Sequence, residues 1–397
     1  MSKMKVLIAG GGIGGLATAL SLLRRGFAVE VYEQSGEMRE IGAGIQISPN
    51  GNRALDHLGV FDALRELSCD ADGKEIRLWN TGKAWTLFDL GAEAMRRYGY
   101  PYMTVYRPDL LRVLGDAVRA IDPDAIRLNA RACGMSQTDR KVMLSLADGR
   151  AVEGDLLVGA DGVHSLIRPA LHGHDEVEFR GMVAWRAQIP MPDLPARLVR
   201  NKAINWIGPG GHLVHYPIQG GRVMNFVGTL EGASWSDAPW TRPGTRDECH
   251  AAFTGWHDDV HLMIDRAPAL SQWALCGRPL LPRWTVGRAT LLGDACHVTL
   301  PFLGQGAVSS IEDAIVLGRC LQRDADPCAA LRRYEAVRKP HTYRMVRGSA
   351  ENTARFHNPA LATVETAQPF IDREWQARAI SDRYDWLFNY DAEHVEI

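Results

Sequence analysis

The sequence predicts an α/β protein: a βαβ unit at the start, an antiparallel sheet inserted after it, and helices at the end. Three observations carry this. The first is an apolar run, Lys5 to Ala9, followed by Gly10-Gly11-Gly12-Ile13-Gly14-Gly15 and a helical pattern. The second is a change of character from Val177 to about Val227, where apolar and polar residues alternate and turn signals at Gly208-Pro209 and Gln219-Gly220-Gly221 divide the segments. The third is Gly293 to Gly306, GDACHVTLPFLGQG, which reads as strand end, acidic turn, loop and helix start.

The elements follow in order. Lys5 to Ala9 suits a buried parallel strand, and Leu16 to Arg25 a helix ending at Gly26, a plausible C-cap. A second strand, Ala28 to Tyr32, ends in Glu33, eighteen residues after Gly15. That is near the spacing of an acidic ribose ligand in a Rossmann-like dinucleotide site. Gly10 permits the tight turn, Gly12 lets the backbone approach a pyrophosphate, and Gly15 lets the helix pack on the strand. An acid at 33 favours an unphosphorylated ribose, so FAD or NAD over NADP. Gly42 to Asn50 is small and Gly-rich and reads as a cofactor-lining loop. Ile76 to Phe88 reads as strands. A helix from Tyr106-Arg107-Pro108-Asp109 runs to about Ile121, and Arg107 is either a phosphate ligand or a surface arginine. Ala125 to Leu128 and Val142 to Leu146 read as short strands. Asp155 to Gly162 reads as strand then acidic turn, with a short helix beginning over Val163 to Arg168. In the alternating region, Trp185, Trp206, Tyr216 and Phe226 form either a core or a wall around an aromatic ligand. Arg246 to Ile264 reads as one amphipathic helix. Trp284 to Asp294 returns to the first domain, and Ile311 to Gln322 and Ala329 to Val346 are helical. The tail carries an aromatic cluster, Tyr384 to Tyr390, that docks on a groove. The domains expected are 1–72, 100–175 and 280–325 for the dinucleotide, 73–99 and 176–279 for substrate, and 326–397 for the C-terminal helices and tail.

Composition narrows the function. The 397 residues are 46% apolar and 23% charged, ordinary for a soluble globular protein of two or three domains. Lys+Arg 45 against Asp+Glu 47 gives a net charge of −2, which argues against nucleic acid or an anionic membrane as partner. Seven cysteines at scattered spacings form no zinc or disulfide pattern, so no metal is expected, and they fit a reducing cytoplasm. No stretch has the ~20 uninterrupted apolar residues of a membrane span.

Three stretches in this order resemble the single-component FAD-dependent aromatic hydroxylases, the p-hydroxybenzoate hydroxylase-like flavoprotein monooxygenases. They are the GxGxxG with Glu33, then Gly159 to Arg168 (GADGVHSLIR), then Gly293 to Gly306. In the second, Asp161, Gly162, Ser165 and Arg168 match; in the third, Gly293, Asp294, Ala295, His297, Pro301, Gly304 and Gly306. The resemblance implies a Rossmann-like FAD-binding domain with an inserted antiparallel-sheet substrate domain. It implies FAD held by Gly10, Gly12, Gly14, Gly15, Glu33, Gln34, Arg107, Asp161, Asp294, Pro301, Gly304, Gly306 and Ala307. It also implies NADH or NADPH as a transient co-substrate, NADH favoured, since no second nucleotide-binding unit is present. Gly42 to Asn50, Trp185-Arg186, Gly208 to Pro217 and the tail look most like the salicylate, 3-hydroxybenzoate and 6-hydroxynicotinate hydroxylases. In those, a His and an aromatic residue four later sit on a substrate-domain strand, and His212 and Tyr216 match that spacing; a regular strand would put both on one face, whereas a bulge following Gly210-Gly211 would separate them. There are departures. Pro301 stands where 3-hydroxybenzoate enzymes tend to carry Gln. Phe302 stands where salicylate and hydroxynicotinate enzymes often carry His. Gln46 stands where hydroxynicotinate enzymes have His.

The activity implied is hydroxylation of a small aromatic acid by oxygen through a C4a-hydroperoxyflavin, by a monomer or homodimer. Ring attack is easier once the substrate hydroxyl is ionised, and a phenol with pKa about 10 costs roughly 4 kcal/mol to ionise at neutral pH. His212 is the expected base, Tyr216 positions the ring, and His215, on the opposite strand face, is the control. Gln46, Arg186, Pro301 and Phe302 are the expected substrate contacts, Arg186 for a carboxylate. His297 is expected to be structural or flavin-adjacent. A halogenase is disfavoured because Trp185 to Pro190 does not meet WxWxIP. A ubiquinone-pathway-type lipid hydroxylase and a non-enzymatic FAD redox sensor stay open as alternatives.

Overall fold

The computed structural model describes residues 3–38, 43–232, 234–235 and 239–397. A six-stranded sheet is ordered Thr285–Val286, Ala289–Leu291, Leu156–Gly159, Lys5–Ala9, Ala28–Tyr32, Ile126–Arg127. All its neighbours pair in parallel except the edge hairpin Thr285–Val286 with Ala289–Leu291. Its central strands are apolar on both faces because both are covered: Val6, Leu7, Ile8, Leu156, Leu157 and Val158 have no solvent exposure. The first helix, Ile13–Arg24, starts inside the glycine motif rather than at Leu16. It can lie that close because position 15 lacks a side chain: a Cβ there would sit 2.0 Å from the Gly10 carbonyl oxygen. Gly10 itself has φ +103, a left-handed backbone that side chains disfavour.

The second large sheet has eight strands, ordered Thr241–Gly244, Leu270–Gly277, Glu178–Pro190, Val223–Glu231, Gly211–Ile218, Lys202–Gly208, Gly73–Leu78, Ala84–Asp89. It is antiparallel, as its alternation predicts, with one exception: Lys202–Gly208 runs parallel to Gly73–Leu78. One face packs on two helices, Arg246–Ala252 and Asp258–Arg266. The single helix expected over Arg246 to Ile264 is therefore broken. Gly255 adopts φ +81, Phe253 and Trp256 turn inward, and the His257 ring accepts from Asp259 N to start the second helix. Trp185, Trp206 and Phe226 belong to this core. Of the four aromatics left open by the sequence, only Tyr216 faces the cavity described below.

Two three-stranded sheets complete the β structure: Ala132–Gln137, Val142–Leu146 and Ala151–Gly154, and Gly44–Ile47, Met103–Tyr106 and Cys69–Asp70. Gly42, which opens the expected small-residue loop, lies outside the described residues. The short helix after the second acidic turn spans Ile167–His172, beginning later than Val163. Its start is delayed because the Asp161 carboxylate captures the N–H groups of Leu166 (2.7 Å) and Ile167 (3.1 Å). Helix Gly306–Arg323 leads into a 30-residue helix, Pro327–Phe356, which carries Pro340 inside it and outruns the expected Ala329 to Val346. In the tail, Tyr384, Leu387 and Phe388 bury themselves against Leu90, Tyr102, Leu303 and Met345. No helix of the described residues is long and apolar enough to cross a membrane.

Candidate active site

A cavity of about 760 Å³ joins the two large sheets. From the parallel sheet its walls come from residues just past the carboxyl ends of four strands: Gly10 to Gly14, Glu33 with Gln34, Ala160 with Asp161, and Leu292 to Asp294. This is where open α/β sheets bind ligands, because the strand ends leave a crevice lined by turns and helix N-termini. The antiparallel sheet contributes Arg186, His212, Val214, Tyr216, Val227 and Thr229. Gln46, Arg107, Pro301, Phe302, Gly304, Gly306 and Ala307 line the same space. Every expected site residue therefore reaches the cavity except Gly15, which is buried against the Gly10 carbonyl.

The nucleotide end is cut for a dinucleotide. A Cβ at Gly12 would meet nothing within 4 Å, so the space beside that turn is open where a pyrophosphate would lie. Glu33 accepts from Gly11 N (2.6 Å) and Ser35 N (2.8 Å), which fixes its carboxylate at the wall with lone pairs to spare for ribose hydroxyls. Asp161 Oδ1 is buried with no hydrogen-bond partner among the described residues, and burial raises its carboxyl pKa against the pull of the Ser165 hydroxyl and its N–H donors. Asp294 opens onto the cavity. Desolvation raises its pKa, and His297 and Arg107 oppose the rise. The long helix Gly306–Arg323 turns its first residues, with their free N–H groups, to the same wall. These features fit FAD, whose pyrophosphate, ribose and ring each need such donors and acceptors.

The loop after Gly293 is held by a buried ionic network. Asp313 accepts from His297 Nε2 (2.6 Å), Arg338 Nε (2.7 Å) and Gly293 N (3.2 Å), and Arg338 also reaches Glu312 (2.9 Å). Burial alone would raise the Asp313 pKa, but His297 and Arg338 outweigh it and it is lowered. His297 does not line the cavity. It is a structural tie.

At the other end, the strand Gly211–Ile218 pairs with Val223–Glu231 in unbroken register, His212 opposite Thr229 and Tyr216 opposite Asn225. No bulge follows Gly210-Gly211, so His212, Val214 and Tyr216 share the cavity face. His215 points away, its Nδ1 3.4 Å from Met224 Sδ. His212 lies edge-on to Phe302, 4.7 Å between ring centres. Burial holds its pKa well below the usual histidine value, with a further contribution from His357 and Lys74. Burial likewise raises the Tyr216 phenol, while Arg186 and a Gln46 hydrogen bond oppose. Gln46 in turn accepts from Tyr102 Oη at 2.6 Å. The Arg186 guanidinium lies 4.2 Å over the Trp273 ring and its Nε has no partner among the described residues. Desolvation lowers its pKa to about 10, opposed by Tyr216 and aided by Arg107, with no carboxylate among the described residues acting on it.

Some site groups had no local sequence signal. Thr229, whose buried hydroxyl has no partner among the described residues, lines the cavity opposite His212. His212 Nδ1 is 2.7 Å from His357 Nε2, and His357 Nδ1 is 2.6 Å from Glu231 Oε1. Residues 212 and 357 are 145 positions apart, beyond any periodicity.

Residues 3–349 match the family described as FAD binding domain. A 3-amino-4-hydroxybenzoate 2-monooxygenase of Streptomyces platensis is 37% identical over 394 residues, 99% of this chain and 98% of its own. A 3-hydroxybenzoate 6-hydroxylase of Aquipseudomonas alcaligenes is 37% identical over 344 residues, 86% of each chain. The solved structure of Klebsiella pneumoniae HpxO complexed with FAD and uric acid is similar with a TM-score of 0.82 at 26% identity, over 96% of each chain.

Proposed function

The chain belongs to the FAD binding domain family and is an FAD-dependent aromatic-ring monooxygenase of the hydroxybenzoate and hydroxynicotinate type; from that premise we propose that its substrate is a small aromatic acid carrying a ring hydroxyl, and its reductant NADH or NADPH. One observation carries the substrate class: Arg186. The guanidinium is half-buried, lies against Trp273 and has no carboxylate partner among the described residues, so its desolvation is uncompensated and an anionic substrate group supplies the missing partner. A carboxylate can meet the guanidinium fork with two hydrogen bonds, which also orients the ring.

Gly10 to Gly14, Glu33, Arg107, Asp161, Asp294 and the loop Pro301 to Ala307 would hold FAD, which when bound would supply the activated oxygen. The chain's own residues do the rest. Arg186 binds the carboxylate. Phe302 and Tyr216 confine the ring, with Gln46 and Tyr102 steadying the Tyr216 phenol. His212, kept neutral by burial, takes the proton from the ring hydroxyl and so makes the ring carbon a better nucleophile. The apolar groups around His212 keep out water that would divert reducing power into peroxide.

The test is NADH and NADPH oxidation by the FAD-loaded protein against a panel of hydroxylated benzoates and pyridine carboxylates, with products weighed by mass spectrometry. One acid is expected to speed oxidation and gain one oxygen atom. If no acid changes the rate, the aromatic-acid reading fails.

A further inference from the structure

We propose that His212, His357 and Glu231 form a proton relay from the buried cavity to solvent, with His357 and Glu231 setting which nitrogen of His212 is the base. The inference rests on the aromatic-acid reading only for the source of the proton. His212 is 4% exposed and the His357 side chain 2%, whereas the Glu231 side chain is 45% exposed. The three groups thus lead from inside to outside in two contacts, 2.7 and 2.6 Å.

Their chemistry fixes the direction of each hydrogen bond. An ionised carboxylate only accepts, so His357 Nδ1 carries a hydrogen toward Glu231. A neutral His357 then has a bare Nε2, which must accept, so the hydrogen between the rings sits on His212 Nδ1. That leaves His212 Nε2 bare, as a base requires. The exposed carboxylate therefore sets the tautomer two residues inward. Both histidines are held below the usual pKa, chiefly by burial, which keeps this relay neutral; His357 and then Lys74 add to the lowering at His212, and Glu231 opposes it at His357.

One proton enters and one leaves. The substrate O–H bond breaks as His212 Nε2–H forms. His212 Nδ1–H breaks as His357 Nε2–H forms, and His357 Nδ1–H breaks as a Glu231 O–H forms, which water then deprotonates. The rings are left in the opposite tautomer, poised to carry a proton inward when the product oxygen is reprotonated, and that transfer restores the start. The backbone locks the three together: Gly210 N donates to the His357 carbonyl at 3.2 Å and Glu231 N to the Gly210 carbonyl at 2.9 Å. Phe302 and Phe356 pack against the His212 ring.

Two measurements test this. The first needs no substrate: nitrogen NMR of FAD-loaded protein labelled with ¹⁵N-histidine, resonances assigned with His357→Gln and Glu231→Ala. Both His212 and His357 are expected to carry hydrogen on Nδ1, and Glu231→Ala to abolish that preference at His357. Hydrogen on His212 Nε2 in the free enzyme overturns the relay. The second uses the acid that the panel selects. His357→Gln keeps an acceptor for His212 but cannot pass a proton on. It should lower kcat about tenfold or more with KM within about twofold, and reduce a multi-proton solvent isotope inventory to a single proton. Glu231→Ala, at an exposed position, should lower kcat in the same sense if His357→Gln does not fold. Native kcat and inventory in both variants overturn the proposal. Nδ1 tautomers together with inert acids would support the hydrogen-bond chain and sink the aromatic-acid reading instead.

Discussion

Arg186 and His212 divide the work at one end of the cavity, and single substitutions should separate them. Arg186→Gln removes a charge-assisted contact of about 1.5–3 kcal/mol, so KM for the acid should rise roughly 10- to 100-fold with a smaller change in kcat, measured by steady-state kinetics. His212→Ala should lower kcat by about 10²- to 10⁴-fold. His215→Asn, on the far face of the same strand, should leave kcat within about threefold. The glycines split in the same way. Gly12→Ala projects a methyl into open space, so the apoprotein should melt normally while FAD affinity falls at least about tenfold, as titrated by flavin fluorescence. Gly15→Ala drives a methyl to 2.0 Å from a backbone oxygen, so its apoprotein should melt lower.

Among the elements, the helices Gly306–Arg323 and Pro327–Phe356 are joined by the fully buried Arg338 with Glu312 and Asp313. Arg338→Ala leaves two buried carboxylates short of their partner and should cost about 3–5 kcal/mol in a denaturant titration. The same elements show what the sequence could reveal. The GxGxxG and GDACHVTLPFLGQG stretches were legible because each is a local strand–turn–helix whose turn residues are dictated by backbone geometry. Strand alternation allowed His212 and Tyr216 a shared face, but Gly210-Gly211 left a bulge possible, and only the unbroken pairing with the neighbouring strand decides it. The break at Gly255 was not, because an amphipathic pattern continues in phase across it and tertiary packing of Phe253 and Trp256 decides. Nor was the pairing of His212 with His357, which depends on where a 30-residue helix ends.

For the whole molecule, buried neutral histidines link stability to pH. His215 and His341 are both lowered to about 3, chiefly by burial. A base whose folded pKa is depressed leaves the folded state with fewer protons than the unfolded one. Stability is therefore intact above about pH 6.5 and declines as pH falls toward 3, by at most about 1.4 kcal/mol per pH unit for each such group. His215→Asn should flatten the decline between pH 6.5 and 4.5, read by urea titration at each pH. The parallel sheet has a different consequence. Its central strand, Lys5–Ala9, pairs with Leu156–Gly159, which pairs in turn with Ala289–Leu291. On a translating ribosome, at about 5–20 residues per second, the first strand waits roughly 8–30 s for its second neighbour, and that neighbour nearly as long for its own. The nascent chain therefore passes through a long interval with an apolar strand edge uncovered. Holding chaperones, rather than the speed of folding itself, are expected to set how much active enzyme a cell obtains.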